Sequence, residues 1–543
     1  MRISGLILFL FLLGMTVRAQ QTSFEWAIQC NNPPNTTDTK TVIATGHDGY
    51  FYLAGEFVDT ANFGDEALIS EGGTDVSLVR HNSEGSTDWA IRIGSADYDY
   101  VQCIGVASSG EVFMAGYFYG TTVIGQDNYT SYGSQDVFLA SFNSQGNFLW
   151  SARLGGVSAD YITAMDIDAD DNLVVAGQFF ADMAIGDTTL SATGSSDVYL
   201  AKFSPDGELI WCMAAGGSSS DQLKDVSCDP EGNIYFTGSY YVDFSIADTT
   251  LTTPYPVGGF VAETNPAGQL MKIFQIEGTY LTPDIFVEAD HNGDYYLAGN
   301  FSEEIYLGDS TFNAGLFNQD IFVAKYDSDG QWIWAARGAS IYGDLLLGID
   351  IDAYNNLYIT GHTLDTIQFG QLILPYHLCC GSREIFIVSY AFDGKVLWGK
   401  QITGPRAGVQ SMTVSDDGKL LLSGMFSDTL AFDAIDLSSF SGYRTFITSL
   451  AAEIYTGISP VYLVHKNLTI YPNPATSFIK VNGLPNADRV SLFIYNLSGQ
   501  VLLDGYYNSS DLIFIDGLTP GIYIAKVKDT DGRIISGTFI KGL

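Results

Sequence analysis

The chain has 543 residues, with 62 acidic and 24 basic side chains and a formal net charge of −38. This charge repels nucleic-acid phosphates and anionic membrane surfaces, so we exclude nucleic acid as a partner. The 58 glycines, the 13% of aromatic residues and the lack of a long amphipathic helical pattern indicate an all-β globular protein.

Residues 1–20 have the pattern of a secretory signal peptide. A single basic residue, Arg2, precedes an apolar run over residues 6–13, and the small side chains of Val17 and Ala19 mark a cleavage site. No later segment is apolar enough to cross a bilayer. We therefore expect an exported chain with no transmembrane segment.

One strand-like segment occurs in seven copies between residues 21 and 451. Each copy resembles "LVVAGQF" and carries a glycine at the same place. The glycines are spaced by 61 to 63 residues: Gly55, Gly116, Gly177, Gly238, Gly299, Gly361 and Gly424. A period this regular defines a repeat architecture, in which every unit has the same set of strands.

Each repeat contains four predicted strands, which we call A, B, C and D in chain order. In the third repeat they are "YITAMDIDA", "LVVAGQF", "DVYLAKF" and "ELIWCMAA", separated by turns rich in Gly, Asp, Asn and Pro. Strand D carries a tryptophan in most repeats, but no strand D follows the seventh strand C. The missing strand stands at the N terminus, as "FEWAIQC" with Trp26.

Seven units of four strands, the last completed by the N-terminal strand, predict a seven-bladed β-propeller over residues 21–451. The segments "DVSCDPEGNIYFTG" (225–238) and "DIFVAKYDSDG" (320–330) resemble the seven-bladed β-propeller repeat of secreted bacterial proteins (the SBBP repeat). The resemblance covers about residues 24–451 and implies the fold. It implies no catalytic residues, because that family is defined by its scaffold.

The repeat gives way to a linker at 452–466 and then to short alternating strands at 467–543, which predict a small Ig-like β-sandwich. This tail resembles the type A sorting domain of type IX secretion. The matching segments are "YPNP", "IYNLSGQVL", "LTPGIYIAKV" and the terminal "FIKGL", and their motif residues are Tyr471, Pro472, Asn473, Pro474, Gly499, Pro520, Gly521, Tyr523 and Lys541. The resemblance implies the type IX secretion machinery as a partner. It also implies release from a diderm bacterium or attachment to its outer surface.

An aspartate series occupies the start of strand A. Asp99, Asp160, Asp221 and Asp344 each lie ten residues after the tryptophan of the preceding strand D. If the starts of strand A surround one channel mouth, these carboxylates form a ring that binds Ca²⁺. The alternative is that each accepts backbone N–H bonds from its own loop. A second series, Asp75, Asp136, Asp197, Asp320 and Glu384, opens strand C.

Aromatic residues concentrate on the same predicted face in units two to four. Tyr98, Tyr100 and Tyr161 lie in the loops between strands D and A, and Tyr119, Phe180 and Tyr241 end strands B. Tyrosines beside carboxylates stack on sugar rings and bond their hydroxyls. Glycan binding is the functional interpretation of these six residues, and ordinary surface aromatics are the alternative.

We therefore expect a secreted or surface-displayed protein that binds a glycan or a protein and serves in adhesion, with no catalytic step. One alternative is a carbohydrate-active hydrolase or lyase that uses the carboxylates of the channel mouth, such as Asp99, Asp160 and Asp221. The other is a structural surface protein stabilised by Ca²⁺, the one cofactor that the aspartates indicate. The sequence does not identify the ligand.

Overall fold

Antiparallel β-strands form all of the regular secondary structure in the described part of the chain. A computed structural model describes residues 22–30, 40–377, 383–451, 469–471, 475–482, 490–495, 501–507, 512–519, 521–528 and 534–541. The predicted all-β class is confirmed. No helix within these ranges is long and apolar enough to span a membrane. The predicted signal peptide lies outside them.

The chain divides into two compact units, residues 1–455 and 456–543. The first half of the larger unit begins with an N-terminal strand and continues through three repeats. Its strands are β1 (Ser23–Cys30), β2 (Thr41–Thr45), β3 (Phe51–Phe57), β4 (Thr60–Phe63), β5 (Glu66–Ile69), β6 (Asp75–His81), β7 (Thr87–Ile93), β8 (Asp99–Val106), β9 (Val112–Ile124), β10 (Asp127–Phe142), β11 (Phe148–Gly156), β12 (Asp160–Ile167), β13 (Leu173–Phe179), β14 (Asp182–Ile185), β15 (Thr188–Ser191), β16 (Asp197–Phe203) and β17 (Leu209–Ala215).

Four further repeats complete the larger unit. Their strands are β18 (Asp221–Cys228), β19 (Ile234–Tyr240), β20 (Asp243–Ile246), β21 (Thr249–Thr252), β22 (Gly258–Thr264), β23 (Leu270–Ala289), β24 (Tyr295–Leu307), β25 (Ser310–Tyr326), β26 (Trp332–Ala339), β27 (Leu345–Ile351), β28 (Leu357–Thr363), β29 (Ile367–Phe369), β30 (Leu372–Leu374), β31 (Glu384–Tyr390), β32 (Val396–Ile402), β33 (Arg406–Val414), β34 (Lys419–Phe432) and β35 (Ile435–Ala451).

Each repeat pairs its strands in the order A-B-C-D. The first, third and sixth repeats form separate sheets, β2-β3-β6-β7, β12-β13-β16-β17 and β27-β28-β31-β32. The second repeat, β8 to β11, continues into the hairpin β14-β15, and β23 serves as strand D of the fourth repeat and strand A of the fifth. The seventh sheet is β33-β34-β35-β1. Its fourth strand comes from the N terminus, with Trp26 opposite Ser449 in the ladder.

In six of the seven strands D, one side chain donates a hydrogen bond to the turn between strands C and D of the next repeat. Five of these side chains are tryptophans whose indole N–H donates to a backbone carbonyl: Trp26 to Ser83 (3.0 Å), Trp89 to Ser144 (3.1 Å), Trp150 to Pro205 (2.6 Å), Trp211 to Pro266 (3.0 Å) and Trp334 to Phe392 (2.9 Å). In the fourth repeat Lys272 donates to the carbonyl of Ser328 instead. Because Trp26 belongs to β1, this contact also joins the seventh repeat to the first.

Glycines allow the close approaches that this packing requires. A Cβ on Gly177 would lie 2.0 Å from the carbonyl oxygen of Tyr161 and 2.8 Å from the ring of Tyr199, so strand B has no room for a side chain there. Gly207 has a φ of +85° in the turn that Trp150 contacts, and an added Cβ there would lie 2.6 Å from the Trp150 indole ring. A side chain at either position would separate the elements that the glycine brings together.

The edge of strand A is bonded by side chains of the preceding repeat. The N–H of Cys228 donates to the Asp166 carboxylate at 2.7 Å, and the N–H of Ile43 donates to the Ser411 hydroxyl at 3.2 Å. Backbone N–H groups on a strand edge need acceptors. These bonds therefore satisfy the edge and join neighbouring repeats, and the second of them again joins the seventh repeat to the first.

The smaller unit, described by itself, contains two antiparallel sheets. Its strands are β36 (Thr469–Tyr471), β37 (Phe478–Asn482), β38 (Val490–Tyr495), β39 (Val501–Tyr507), β40 (Ile513–Phe514), β41 (Gly521–Lys528) and β42 (Ile534–Lys541). They pair as β36-β37-β40 and β39-β38-β41-β42. Ile479, Leu492 and Tyr523, from both sheets, belong to one buried cluster. The predicted linker lies outside the described residues.

We expect the indole contact to contribute measurably to stability. Trp150→Phe removes the bond to Pro205 and keeps an aromatic ring, which should lower the free energy of unfolding by about 1 kcal/mol. Trp398→Phe is the matched control, because Trp398 has the same place in the sixth repeat while its indole nitrogen has no hydrogen-bond partner in the described structure. Urea unfolding of both variants measures the difference. Equal losses would show that the bond contributes nothing.

Candidate functional site

A cavity of about 1190 Å³ lies between the first strands of the seven repeats. Strands β2, β8, β12, β18, β23, β27 and β33 all contribute residues to its lining. Strand A of every repeat therefore faces one shared space. The side chains at the ends of strand A decide what this space can bind.

The repeat breaks down at one end of the cavity. Each repeat glycine in strand B lies opposite one residue of strand A. The strand A residue just before that one varies in type, although the glycine does not: Lys40, Tyr100, Tyr161, Gln222, Asp284, Leu345 and Gly408. Lys40, Tyr161, Gln222 and Asp284 line the cavity. We call this end the mouth. A position that varies within an otherwise repeated frame marks a site built by individual side chains.

Five aromatic rings form a continuous group at the mouth, which we call the tyrosine cluster: Tyr100, Tyr117, Tyr119, Tyr161 and Phe180. Tyr100 stacks on Tyr117 with ring centroids 5.1 Å apart, and Tyr117 meets Tyr161 edge to face at 5.8 Å. Tyr119 lies 6.3 Å from Tyr117, and Phe180 lies 6.2 Å from Tyr161. Tyr117 and Tyr161 line the cavity directly.

The structure thus brings together four of the six aromatic residues predicted from the sequence. The other two, Tyr98 and Tyr241, are 54% and 37% exposed and make no ring contact with a described aromatic side chain. Tyr117, which joins the cluster, was not predicted. The available signal was its place two residues before Tyr119, on the same face of strand B.

Amide and ammonium groups line the same cavity as the tyrosine cluster. The ammonium of Lys40 donates to the side-chain oxygen of Gln102. Lys224 lies 2.8 Å from the carboxylate of Asp284 and 4.7 Å from the ring of Phe286. Burial lowers the pKa of Lys40, and the nearby charge of Lys224 lowers it further. All five residues line the cavity, as do Gln178 and Gln222.

Burial also acts on the tyrosines. It raises the pKa of Tyr117 to about 12, with a smaller contribution from the negative charge of Glu56, and it raises the pKa of Tyr100 and Tyr119. The hydroxyls therefore stay protonated at neutral pH and act as hydrogen-bond donors as well as acceptors. Flat apolar rings beside neutral hydroxyl and amide groups match the faces and hydroxyls of a sugar.

The four aspartates of the predicted Ca²⁺-binding ring do not face the cavity. Asp99, Asp160, Asp221 and Asp344 are fully buried, and none of them lines the cavity. Asp99 accepts the N–H of Ser95 at 2.9 Å, Asp160 that of Gly156 at 2.7 Å and Asp221 that of Gly217 at 2.7 Å; Asp344 accepts the hydroxyl of Ser340 at 3.0 Å. In the described part of the chain no three His, Cys, Asp or Glu side chains are arranged to hold a metal ion.

These aspartates instead lie beside the aspartate that opens strand C of the preceding repeat. Asp99 and Asp75 converge on Gly94, where an added Cβ would lie 2.7 Å from one carboxyl and 3.0 Å from the other. Burial, and then the like charge of the neighbour, raises the pKa of Asp99 to about 7. Asp160 and Asp221 are raised to about 7 and Asp344 to about 8, with burial again the main cause of each pKa shift.

Several acidic side chains that were not predicted as a set also line the cavity, and four of them belong to strand A: Asp166, Asp225, Glu288 and Asp350. Burial raises the pKa of Asp166 to about 6 and that of Asp225 and Asp350 to about 7, and it raises the pKa of Glu288 with help from the charges of the other three. Asp225 and Asp350 accept N–H bonds from Val287 (3.1 Å) and Val414 (2.7 Å) of the next repeat. These contacts give them a structural role between repeats.

Comparison with known proteins identifies the tail. Residues 469–541 match the family described as "Secretion system C-terminal sorting domain". The predicted sorting domain is therefore confirmed, the protein is secreted, and the domain implies an interaction with secretion machinery. Tyr471, Gly521, Tyr523 and Lys541 lie in β36, β41 and β42. The remaining motif residues lie outside the described ranges: Pro472, Asn473, Pro474, Gly499 and Pro520.

The chain has distant relatives among known proteins. An uncharacterized WD repeat-containing protein of Acanthamoeba polyphaga mimivirus is 23% identical over 454 residues, which cover 65% of this chain and 32% of that protein. The regulatory protein FlaEY of Caulobacter vibrioides is 28% identical over 193 residues, 34% of this chain and 20% of its own length. The chain thus spans at most about a third of these relatives. A solved protein of unknown function from Dyadobacter fermentans covers 80% of this chain and 99% of its own at 9% identity, with a TM-score of 0.39.

The buried aspartates predict that stability falls as pH rises. Their pKa in the folded chain lies above the usual aspartate value of 3.8, so their contribution to stability is complete below about pH 4 and is lost as the pH rises through 7 to 8. Each group accounts for at most about 1.4 kcal/mol per pH unit. We expect the melting temperature to be lower at pH 8.5 than at pH 5.5. Asp160→Asn should reduce that difference, whereas Asp206→Asn, at an exposed turn, should leave it unchanged. A melting temperature that rises over this range would contradict the assignment.

Proposed function

We propose that residues 21–451 form a seven-bladed β-propeller that binds a glycan at the mouth of its channel, and that the protein is a secreted binding or adhesion module with no catalytic step. In this proposal the propeller is built from SBBP-type repeats. It is followed by a linker at 452–466 and by a sorting domain with an Ig-like β-sandwich fold at 467–543. Attachment to the outer surface of a diderm bacterium belongs to this proposal. Secretion itself follows from the matched tail.

The N-terminal strand in the seventh sheet and two contacts from that sheet to the first repeat support a closed propeller. Strand β1 pairs with β35, Trp26 donates to Ser83, and the N–H of Ile43 donates to Ser411. A ring that closes through an N-terminal strand leaves no open edge between its first and last blades. The WD repeat named in the mimiviral relative is itself a propeller-blade motif.

The tyrosine cluster is the observation that carries the binding proposal. Its rings are partly exposed, touch one another and border a cavity lined at that end by Gln102, Gln178 and Gln222. Side chains that only filled space between blades would be fully buried, as Tyr199 and Tyr358 are. Concave sites with aromatic walls and a few convergent amides are typical of small-ligand and sugar binding.

Catalysis receives no comparable support. The carboxylates that a hydrolase or lyase would use, Asp99, Asp160 and Asp221, are fully buried and accept bonds from their own loops. The acidic groups that do line the cavity, such as Asp225 and Asp350, are bonded to backbone N–H groups of the next repeat. A general acid and a nucleophile need direct access to the substrate.

A glycan array with the purified full chain tests the proposal. We expect retention of one class of saccharide and no release of shortened products. Tyr117→Ala removes the central ring of the tyrosine cluster and should weaken binding about tenfold or more, because a stacked aromatic contact contributes about 1 kcal/mol beyond its buried area. Tyr354→Ala is the control, since Tyr354 is 40% exposed and lies outside the cavity lining.

The remaining outcomes separate the alternatives. Release of oligosaccharides would replace the binding module with an enzyme. A large fall in melting temperature with EDTA and no retained glycan would favour the Ca²⁺-stabilised structural protein. Retention that Tyr117→Ala and Tyr354→Ala leave equally intact would place the glycan site away from the tyrosine cluster.

A further inference from the structure

We infer that the ligand of the mouth is an acidic saccharide whose carboxylate is bound by the ammonium of Lys40. This inference rests on the proposed function, since it assigns a chemical class to the glycan that the tyrosine cluster binds. It is carried by the placement of two lysines at the mouth of a chain that has 24 basic residues against 62 acidic ones.

Lys40 is the first part of the argument. Its side chain lines the cavity, and its ammonium donates to the neutral amide oxygen of Gln102 with no carboxylate within ion-pair distance among the described residues. Glu56 lies nearby, where its carboxylate accepts the backbone N–H of Lys40 at 2.9 Å. An ammonium taken out of water and bonded to a neutral amide is a position that an incoming anion stabilises.

Lys224 is the second part. It lies close enough to Lys40 for its charge to disfavour the protonated form of Lys40. Its own ammonium is held by Asp284 at 2.8 Å and lies over the ring of Phe286. Asp284 and Glu56 balance the two lysines in number, but the Lys40 ammonium itself is bonded to a neutral amide. An anion beside Lys40 would reduce the repulsion between the two lysines.

The acidic residues deeper in the cavity fix how far that anion enters. Glu288 lies four residues beyond Asp284 along β23, and Asp166 lies five residues beyond Tyr161 along β12. At about 3.3 Å per residue the backbone positions of Glu288 and Asp166 lie about 13 Å or more along their strands from the mouth. The Asp166 carboxylate, with a pKa of about 6, disfavours a second anion in the interior, so the favourable place for the sugar carboxylate is beside Lys40.

The rest of the mouth selects a sugar acid over a small inorganic anion. Tyr117 and Tyr161 offer ring faces for the apolar side of a pyranose, and Gln178 and Gln222 offer amide donors and acceptors for its hydroxyls. A phosphate or sulfate ion would use the lysine and leave these groups without a function. A uronic or similar carboxylated sugar uses all of them.

The test compares acidic polysaccharides with their own neutral forms. Polygalacturonate, alginate and hyaluronan are each presented to the full chain before and after chemical reduction of their carboxylates to alcohols, which keeps the sugar ring and removes the charge. We expect at least one acidic polymer to bind and its reduced form to bind about tenfold or more weakly, because a charge-assisted hydrogen bond is lost.

A lysine pair provides the matched variants. Lys40→Gln keeps a hydrogen-bonding group beside Gln102 and removes the cation, and it should reduce binding of the acidic polymer to the level of the reduced one. Lys40→Arg keeps the charge and should restore most of the binding. Lys395→Gln removes a lysine whose side chain is 79% exposed and paired with Asp393 in a turn, and it should have no effect. The melting temperatures of all variants show that they fold.

The outcomes distinguish this inference from the function on which it rests. Equal binding of acidic and reduced polymers, or binding that Lys40→Gln leaves intact, overturns the acidic saccharide and leaves glycan binding in place. Binding restricted to neutral sugars does the same. Failure of every saccharide, acidic or neutral, on folded protein overturns the proposed function and this inference together. Inorganic phosphate that competes as well as the sugar acid would overturn the choice of ligand class alone.

Discussion

The contact between the outer strand of one repeat and the turn of the next is the interaction on which the larger unit depends. Strands within a repeat bond to each other. Among the described residues, neighbouring repeats share a ladder only where β23 passes from one into the next and where β11 and β26 bond to short hairpins, apart from isolated bridges such as Gly216 with Ser245. Apolar packing between sheets is not directional. The indole bond, from Trp150 to Pro205 and its equivalents, fixes the register of one sheet against the next. Lys272 shows that a long donor is enough to make this contact without an indole.

The acidic residues of the cavity are a consequence of the same architecture. Strand A has one free edge in every repeat, and its N–H groups need acceptors that are narrow enough to fit between neighbouring strands. A carboxylate supplies two acceptor oxygens on a short side chain, as Asp166 does for Cys228 and for its own successor Ile167. Several such groups in one enclosed space repel one another, which raises their pKa. Much of the negative lining therefore belongs to the scaffold, and the lysines at the mouth are its exception.

The sequence was sufficient for the features that repeat and insufficient for those that do not. The glycine period located every strand B, and the absent seventh strand D pointed to Trp26, which pairs with the seventh sheet in the structure. Four aromatic residues of the tyrosine cluster followed from their positions in loops and strand ends. Tyr117 did not, because it lies inside strand B at a place where the other repeats have residues such as Gln178 and Ser239.

The aspartates show why side-chain direction was harder to predict. A register shift interrupts the ladder between strands A and B just after Asp99, Asp160 and Asp221, so the two-residue alternation cannot be extended across it. The start of strand A is near the cavity, yet these carboxyl groups point into the boundary between repeats. Residues on the other side of the shift, such as Asp225, line the cavity instead. Only coordinates resolve such a change of face.

The pairing of β1 with β35 has a consequence for how the chain folds after export. The hydroxyl of Thr448 donates to the carbonyl of Trp26 across 422 residues of sequence. Contacts between such distant segments form late, because the chain must first bring its two ends together. Strand β1 is thus synthesised before β35 but is paired only once β35 is available. Until then both strands have unpaired edges that bind other strands readily. A chain built in this way keeps two strand edges open until its seventh repeat has been made and its two ends have met.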